Sequence, residues 1–169
     1  MKIALSCDHR GAEIYSRVAE IIRIAGHELL DVPTSNGASC DYPDLAWWAG
    51  REVSEGRAER AVLICGSGIG MSIAANKLPG VRAALVNDDI TAEMSRRHND
   101  ANVLCLSADM LGIRLIEKIV QIWLVTEFEG GRHARRVRKI EAMERGQDPT
   151  RVTNGNKAEV GGRGSEVVV

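Results

Sequence analysis

Residues 65–70 read Cys-Gly-Ser-Gly-Ile-Gly and follow the apolar run Arg60-Ala-Val-Leu-Ile. Glycines at 66, 68 and 70 allow backbone N–H groups to converge on an anion, and a helix starting just beyond adds positive potential. The run lacks the GxxxxGK[ST] and GxGxxG spacings of nucleotide sites. A tight strand-to-helix turn with no ligand explains the same glycines. Cys65 stands immediately before them. A thiol near a helix N-terminus has its thiolate favoured, which suits a base or a nucleophile. It also suits the last buried residue of a strand.

Four other places carry reactive side chains. Asp8-His9 follows the first apolar run, where a carboxylate beside an imidazole can move protons or hold a polar ligand, or simply cap a helix beside a solvated His. His98, in Ser-Arg-Arg-His-Asn, ends a helical stretch, where an imidazole often serves only the last carbonyls. Arg132 and Arg136 stand four apart, so on a helix both guanidinium groups share one face and could clamp a phosphate. A solvated face pairing with Glu141 and Glu144 is the plainer alternative. Asp109 follows the last short apolar run. It is expected either to cap a helix beginning near Met110 or to pair with Arg114, Arg132 or Arg136.

The elements that must position these groups alternate in type. Short apolar runs at 2–6, 28–32, 60–65, 81–86 and 103–107 read as strands. Amphipathic stretches at 12–25, 44–55, 71–77, 91–98, 110–126 and 134–145 read as helices, with 33–43 a loop. Strands alternating with helices of this length give βαβ units and a parallel sheet. In such sheets ligands lie beyond the carboxyl ends of the strands. Those ends carry Cys7-Asp8-His9, Cys65 with its glycines, Asn87-Asp88-Asp89 and Ser107-Ala108-Asp109. Residues 146–169, rich in Gly and polar side chains without any period, read as a structureless tail behind one domain at 1–145.

Composition narrows the function. Among 169 residues, 22 Lys and Arg face 23 Asp and Glu, and aromatics make up 4%. That balance argues against binding nucleic acid or an acidic membrane. No apolar run approaches a membrane span, and Asp8-His9-Arg10 interrupts any leader-like start. Cys7, Cys40, Cys65 and Cys105 form no CxxC pair, as in a reduced, cytoplasmic chain. No His, Cys, Asp or Glu cluster has metal-ligand spacing.

Five stretches in order, Cys7–Gly11 (CDHRG), Asp41–Asp44 (DYPD), Leu63–Lys77 (LICGSGIGMSIAANK), Ser95–Leu104 (SRRHNDANVL) and Phe128–Val137 (FEGGRHARRV), resemble the type B ribose-5-phosphate isomerases, a family that includes the galactose-6-phosphate isomerase subunits. The resemblance spans about residues 1–145. It implies an α/β fold, a Rossmann-like three-layer α/β/α sandwich on a five-stranded parallel sheet. It implies a homodimer, or a tetramer built from it, with active sites at the subunit interface. It implies metal-independent, cofactor-free aldose–ketose isomerisation of ribose 5-phosphate and ribulose 5-phosphate. By position, Cys65 would move the proton between C1 and C2. Ser67 and the backbone of Gly66, Gly68, Ile69 and Gly70 would stabilise the cis-enediolate, His98 would open the sugar ring, and Asp8 would handle hydroxyl protons. His9, Arg132 and Arg136 would hold phosphate, with Tyr42 and Asn99 against the substrate. Asp109 stands where many members carry a phosphate-binding Arg, and Met71-Ser72 where some carry a catalytic Glu. Isomerisation of a six-carbon sugar phosphate such as allose 6-phosphate is the alternative substrate reading. A non-catalytic phosphosugar-binding module is the alternative in kind.

Overall fold

The computed structural model describes residues 1–153. Five strands, β1 (Lys2–Cys7), β2 (Glu28–Leu30), β3 (Arg60–Cys65), β4 (Ala83–Leu85) and β5 (Val103–Ser107), form one parallel sheet in the order β2-β1-β3-β5-β4. Six helices connect or follow them: α1 (Ala12–Ile24), α2 (Tyr42–Ser54), α3 (Ile69–Ala75), α4 (Asp89–Asn99), α5 (Ile113–Val125) and α6 (Gly131–Glu144). The α/β sandwich on five parallel strands is the expected one. No helix among the described residues is long and apolar enough to cross a membrane.

The sheet is covered on both faces, so its strands read as nearly unbroken apolar runs. Ile3, Leu5, Cys7, Val62, Ile64, Leu104 and Leu106 point into one core with α1 and α5. The alternate residues Ala4, Ala61, Leu63, Cys65, Val103 and Cys105 point into a second core with α2 and α3. This period-2 alternation places Cys65 on the α2–α3 side.

Element ends differ from the sequence expectation where capping chemistry decides them. Helix α2 starts at Tyr42, inside the expected loop, because Pro43 falls in its first turn, where a missing N–H costs nothing. Helix α4 opens at Asp89 behind a reciprocal cap between Asp88 and Thr91. Helix α5 starts at Ile113 behind Gly112, not near Met110. Residues 146–153 depart from the expected structureless tail. A 3₁₀ turn, Pro149–Arg151, follows α6; Lys139 Nζ donates to the Pro149 carbonyl at 2.8 Å, Gln147 N–H to the Ala142 carbonyl at 2.8 Å, and Val152 is buried. A buried apolar side chain and two hydrogen bonds back to α6 are enough to order a polar segment. The rest of the expected tail, 154–169, lies outside the described residues.

Candidate active site

The carboxyl ends of β1, β3 and β5 meet above the middle of the sheet, because β3 is central and its neighbours are β1 and β5. Cys65 ends β3 in register with Ser107, the end of β5. Its side chain is only 4% exposed, and its Sγ accepts a hydrogen bond from Gly68 N–H at 3.1 Å. Gly68 has φ +74°, and a Cβ there would sit 2.5 Å from Leu85 Cδ1 and 3.1 Å from the Leu106 backbone. Only glycine turns the chain there and brings its N–H back to the sulfur. Ser67 Oγ accepts from Ile69 N–H at 3.3 Å. The N–H groups of Gly70 and Met71, in the first turn of α3, have no carbonyl partner among the described residues. Tyr42 lies over this turn: a Cβ on Gly70 would meet its ring at 2.4 Å.

β5 fastens the loop from the other side. Ser107 Oγ donates to the Gly66 carbonyl at 2.6 Å and accepts from Met110 N–H at 3.0 Å. Ala108 and Asp109 N–H donate to the carbonyls of Cys65 and Gly66 at 2.9 and 3.0 Å. Sequence reasoning missed Ser107 as a fastening residue; its place at the end of a buried strand was the available signal.

Asp8, just past β1, is 5% exposed, and its Oδ1 accepts from the N–H groups of Arg10 (2.9 Å) and Gly11 (3.2 Å). This turn fixes the entry to α1 and leaves the second carboxylate oxygen for other work. Gly11 is required: a Cβ would lie 2.8 Å from both Cys7 Cβ and Ile64 Cγ2. His9 Nδ1 is buried without a hydrogen-bond partner among the described residues, an orphan that calls for a functional explanation.

Asp109 is neither the expected helix cap nor the partner of Arg114, Arg132 or Arg136. Its carboxylate holds Arg10, with Nη2–Oδ1 at 2.8 Å and Nε–Oδ1 at 3.1 Å. The strand order is the reason, since the turn after β1 faces the turn after β5 across the loop of β3. Met110 N–H is taken by Ser107, and Gly112 caps α5.

The remaining expected site residues lie elsewhere. His98 and Asn99 close α4, five and four residues before β5 begins, whereas Cys65 aligns with the residue that ends β5. At about 3.3 Å per residue, a strand of that length separates the two ends by roughly 13 Å. Arg132 and Arg136 are on α6, whose first turn packs against that end of α4. His133 stacks on His98 with ring centroids 4.1 Å apart, and Arg132 Nε donates to His133 Nε2 at 3.3 Å. Within one chain, Asp8, His9, Tyr42 and 65–70 form one group, and His98, Asn99, Arg132 and Arg136 another, at opposite ends of the sheet.

Glu129 joins the second group, its Oε2 3.8 Å from His98 Nε2 and 3.5 Å from His133 Nε2. Sequence spacing did not reveal this two-His, one-Glu cluster. The two rings are parallel to within 1°. Imidazole lone pairs lie in the ring plane, so two stacked rings cannot both reach one ion at the ~2.1 Å a metal needs. As the side chains stand, the cluster is an ionic and stacking network.

The thiols differ in environment. Burial pushes both Cys7 and Cys105 up from the usual thiol value, Cys105 the further, so they stay protonated inside the two cores.

Known proteins resemble the chain over most of its length. The family model described as Ribose/Galactose Isomerase matches residues 3–140. Ribose-5-phosphate isomerase B of Escherichia coli is 40% identical over 143 residues, 85% of this chain and 96% of that protein. The structure of Clostridium thermocellum ribose-5-phosphate isomerase B is 44% identical with TM-score 0.84, over 86% of this chain and 99% of that one. The Mycoplasma genitalium ribose-5-phosphate isomerase B structure with bound ribulose-5-phosphate is 38% identical with TM-score 0.81, over 85% of this chain and 96% of that one. With the family match covering nearly every described element, and the glycine loop and its cysteine built as above, the chain belongs to the Ribose/Galactose Isomerase family.

Proposed function

We propose that the protein interconverts ribose 5-phosphate and ribulose 5-phosphate through a cis-enediolate, with Cys65 as the base. The observation that carries this reading is the buried Cys65 sulfur at the head of a glycine turn, with the Gly70 and Met71 N–H groups unpaired by any carbonyl among the described residues just beyond it. Proton abstraction beside a carbonyl needs a base at the carbon and donors aimed at the developing oxyanion. Cys65 takes the proton from C2 of the aldose and returns it to C1. The N–H groups at Gly66–Gly70 and the Ser67 hydroxyl stabilise the enediolate oxygens. Asp8 uses its second carboxylate oxygen to pass the hydroxyl proton between O1 and O2. His9 and the guanidinium groups of Arg132 and Arg136 hold the phosphate, Tyr42 closes over the sugar, and Asn99 contacts it.

His98 opens the furanose ring, and it does so from a second copy. The two groups of residues at opposite ends of one sheet favour a homodimer in which each site takes Cys65 from one chain and His98, Asn99, Arg132 and Arg136 from the other. Ile69 and Ile73, one helical turn apart and exposed on α3 beside the loop, supply an apolar surface for that partner. Free thiols at all four cysteines support a reducing, cytoplasmic setting.

The test is an aldose-to-ketose assay on ribose 5-phosphate beside six-carbon sugar phosphates. Ribose 5-phosphate is expected to give the highest kcat/KM, and Cys65→Ala to lower kcat by about 10²–10⁴-fold with KM little changed. Near wild-type turnover in that variant would remove Cys65 from the mechanism.

A further inference from the structure

The ion pair between Arg10 and Asp109 spans the ends of β1 and β5 directly over the loop that follows Cys65. A Cβ on Gly66 would lie 2.8 Å from Asp109 Oδ2 and 3.6 Å from Arg10 Cγ, so the pair rests against the first glycine of the loop. Asp109 binds the Nε edge of the guanidinium twice, at 3.1 and 3.2 Å, and Nη2 at 2.8 Å. Nη1 makes no hydrogen bond among the described residues. The backbone of Arg10 is fixed as well, its N–H held by Asp8. Both side chains remain partly in water, 57% and 42% exposed, where such a pair contributes little to folding.

An arginine held at both ends has already lost the rotamer freedom that a free arginine gives up on binding. Its unused N–H groups form a fixed donor edge, and the preceding residue in the same turn, His9, has a buried Nδ1 that lacks a partner. A lone carboxylate at this place would repel a phosphate dianion. Paired with Arg10, the more exposed of the two at 57% against 42%, the carboxylate is neutralised and the guanidinium keeps planar donors free that suit phosphate oxygens. We propose that Arg10 is a ligand for the substrate's phosphate and that Asp109 is the positioning residue that aims it. The proposal rests on the sugar-phosphate isomerase reading above and adds to it a phosphate contact from the chain that carries Cys65.

The experiment compares wild type, Arg10→Gln, Asp109→Asn and the double variant by steady-state kinetics on ribose 5-phosphate, by competitive inhibition with inorganic phosphate, and by thermal unfolding. Arg10→Gln is expected to raise both KM and the phosphate inhibition constant on the order of tenfold, with the loss in KM rather than kcat and the melting temperature unmoved. Asp109→Asn should raise both a few-fold, and the double variant should be no worse than Arg10→Gln alone, because Asp109 acts only through Arg10. Unchanged KM and inhibition constant in Arg10→Gln would overturn the proposal while leaving the isomerase reading intact. An additive double variant would remove the positioning role of Asp109. Should the wild type isomerise no sugar phosphate, the isomerase reading fails. Calorimetric titration with inorganic phosphate then decides Arg10 separately, and equal binding by wild type and Arg10→Gln counts against it.

Discussion

The imidazoles of His98 and His133 lie face to face, 4.1 Å between centroids, and so tie the last turn of α4 to the first turn of α6. Around them stand Glu129, which Arg97 grips through its other carboxylate oxygen, and Arg132, which donates to His133 Nε2. An accepting Nε2 means a neutral His133. His133 was not among the expected site residues, yet it sets the plane of the one that was.

Burial, then the nearby His98 and Arg132, hold the His133 imidazole below its ordinary value. The unfolded chain therefore binds this proton first as pH falls. Its contribution to stability is complete above about pH 6.5 and is lost as pH drops toward the lower folded value. Burial lowers His27 in the same direction. Melting temperature is expected to fall between pH 7.5 and 5.5, and His133→Asn should flatten that slope although the variant starts less stable. An unchanged slope in the variant would show that other groups carry the acid sensitivity.

A site shared between chains predicts complementation. Cys65→Ala and His98→Asn are each expected to be nearly inactive, but unfolding and refolding them together should restore activity. In a two-fold dimer each mixed pair keeps one intact site, so random pairing recovers about a quarter of wild-type activity. A mixture as inactive as its components would place both residues in the same chain's site.

Gly68→Ala is expected to fail in two ways. Its φ of +74° strains any L side chain, and the added Cβ meets the Leu106 backbone, which cannot yield as a flexible side chain would. The cost is about 1–3 kcal/mol, read as a melting temperature lower by several degrees. Turnover should fall as well, because the N–H now donated to Cys65 moves.

Arg132→Ala and Arg136→Ala should each raise KM for ribose 5-phosphate on the order of tenfold, as expected for losing a charge-assisted phosphate contact. Weak turnover of unphosphorylated ribose should hardly change. Equal losses on both sugars would move these residues from phosphate binding to holding α6.

Much of this was legible because it is local. Apolar runs of five or six residues ending in Asp-His or Cys-Gly, and helices punctuated by Gly and Pro, mark strands and turns whatever the rest of the chain does. Gly68 has a local cause too, since its φ of +74° is what the turn demands, whereas Gly66 and Gly70 leave room for Asp109 and for the Tyr42 ring from distant stretches. Short-range capping was harder to read: Pro43 and Gly112 moved two helix starts, because a first turn accepts proline and a cap can be a glycine without side-chain bonds.

Tertiary structure alone decided which distant residues meet. Arg10 and Asp109 are 99 positions apart, and no period links them. They touch because β1 and β5 flank β3, an order set by how the two cores close over the sheet. The same order divides the expected site between the two ends of the strands. An amphipathic pattern states that a helix covers the sheet, but the end of the sheet at which its last turn stops depends on the path of the whole chain. His98 therefore stands about a strand's length from Cys65, with His133 against it, for reasons that lie in the packing of α4 against α6 and in no single stretch of sequence.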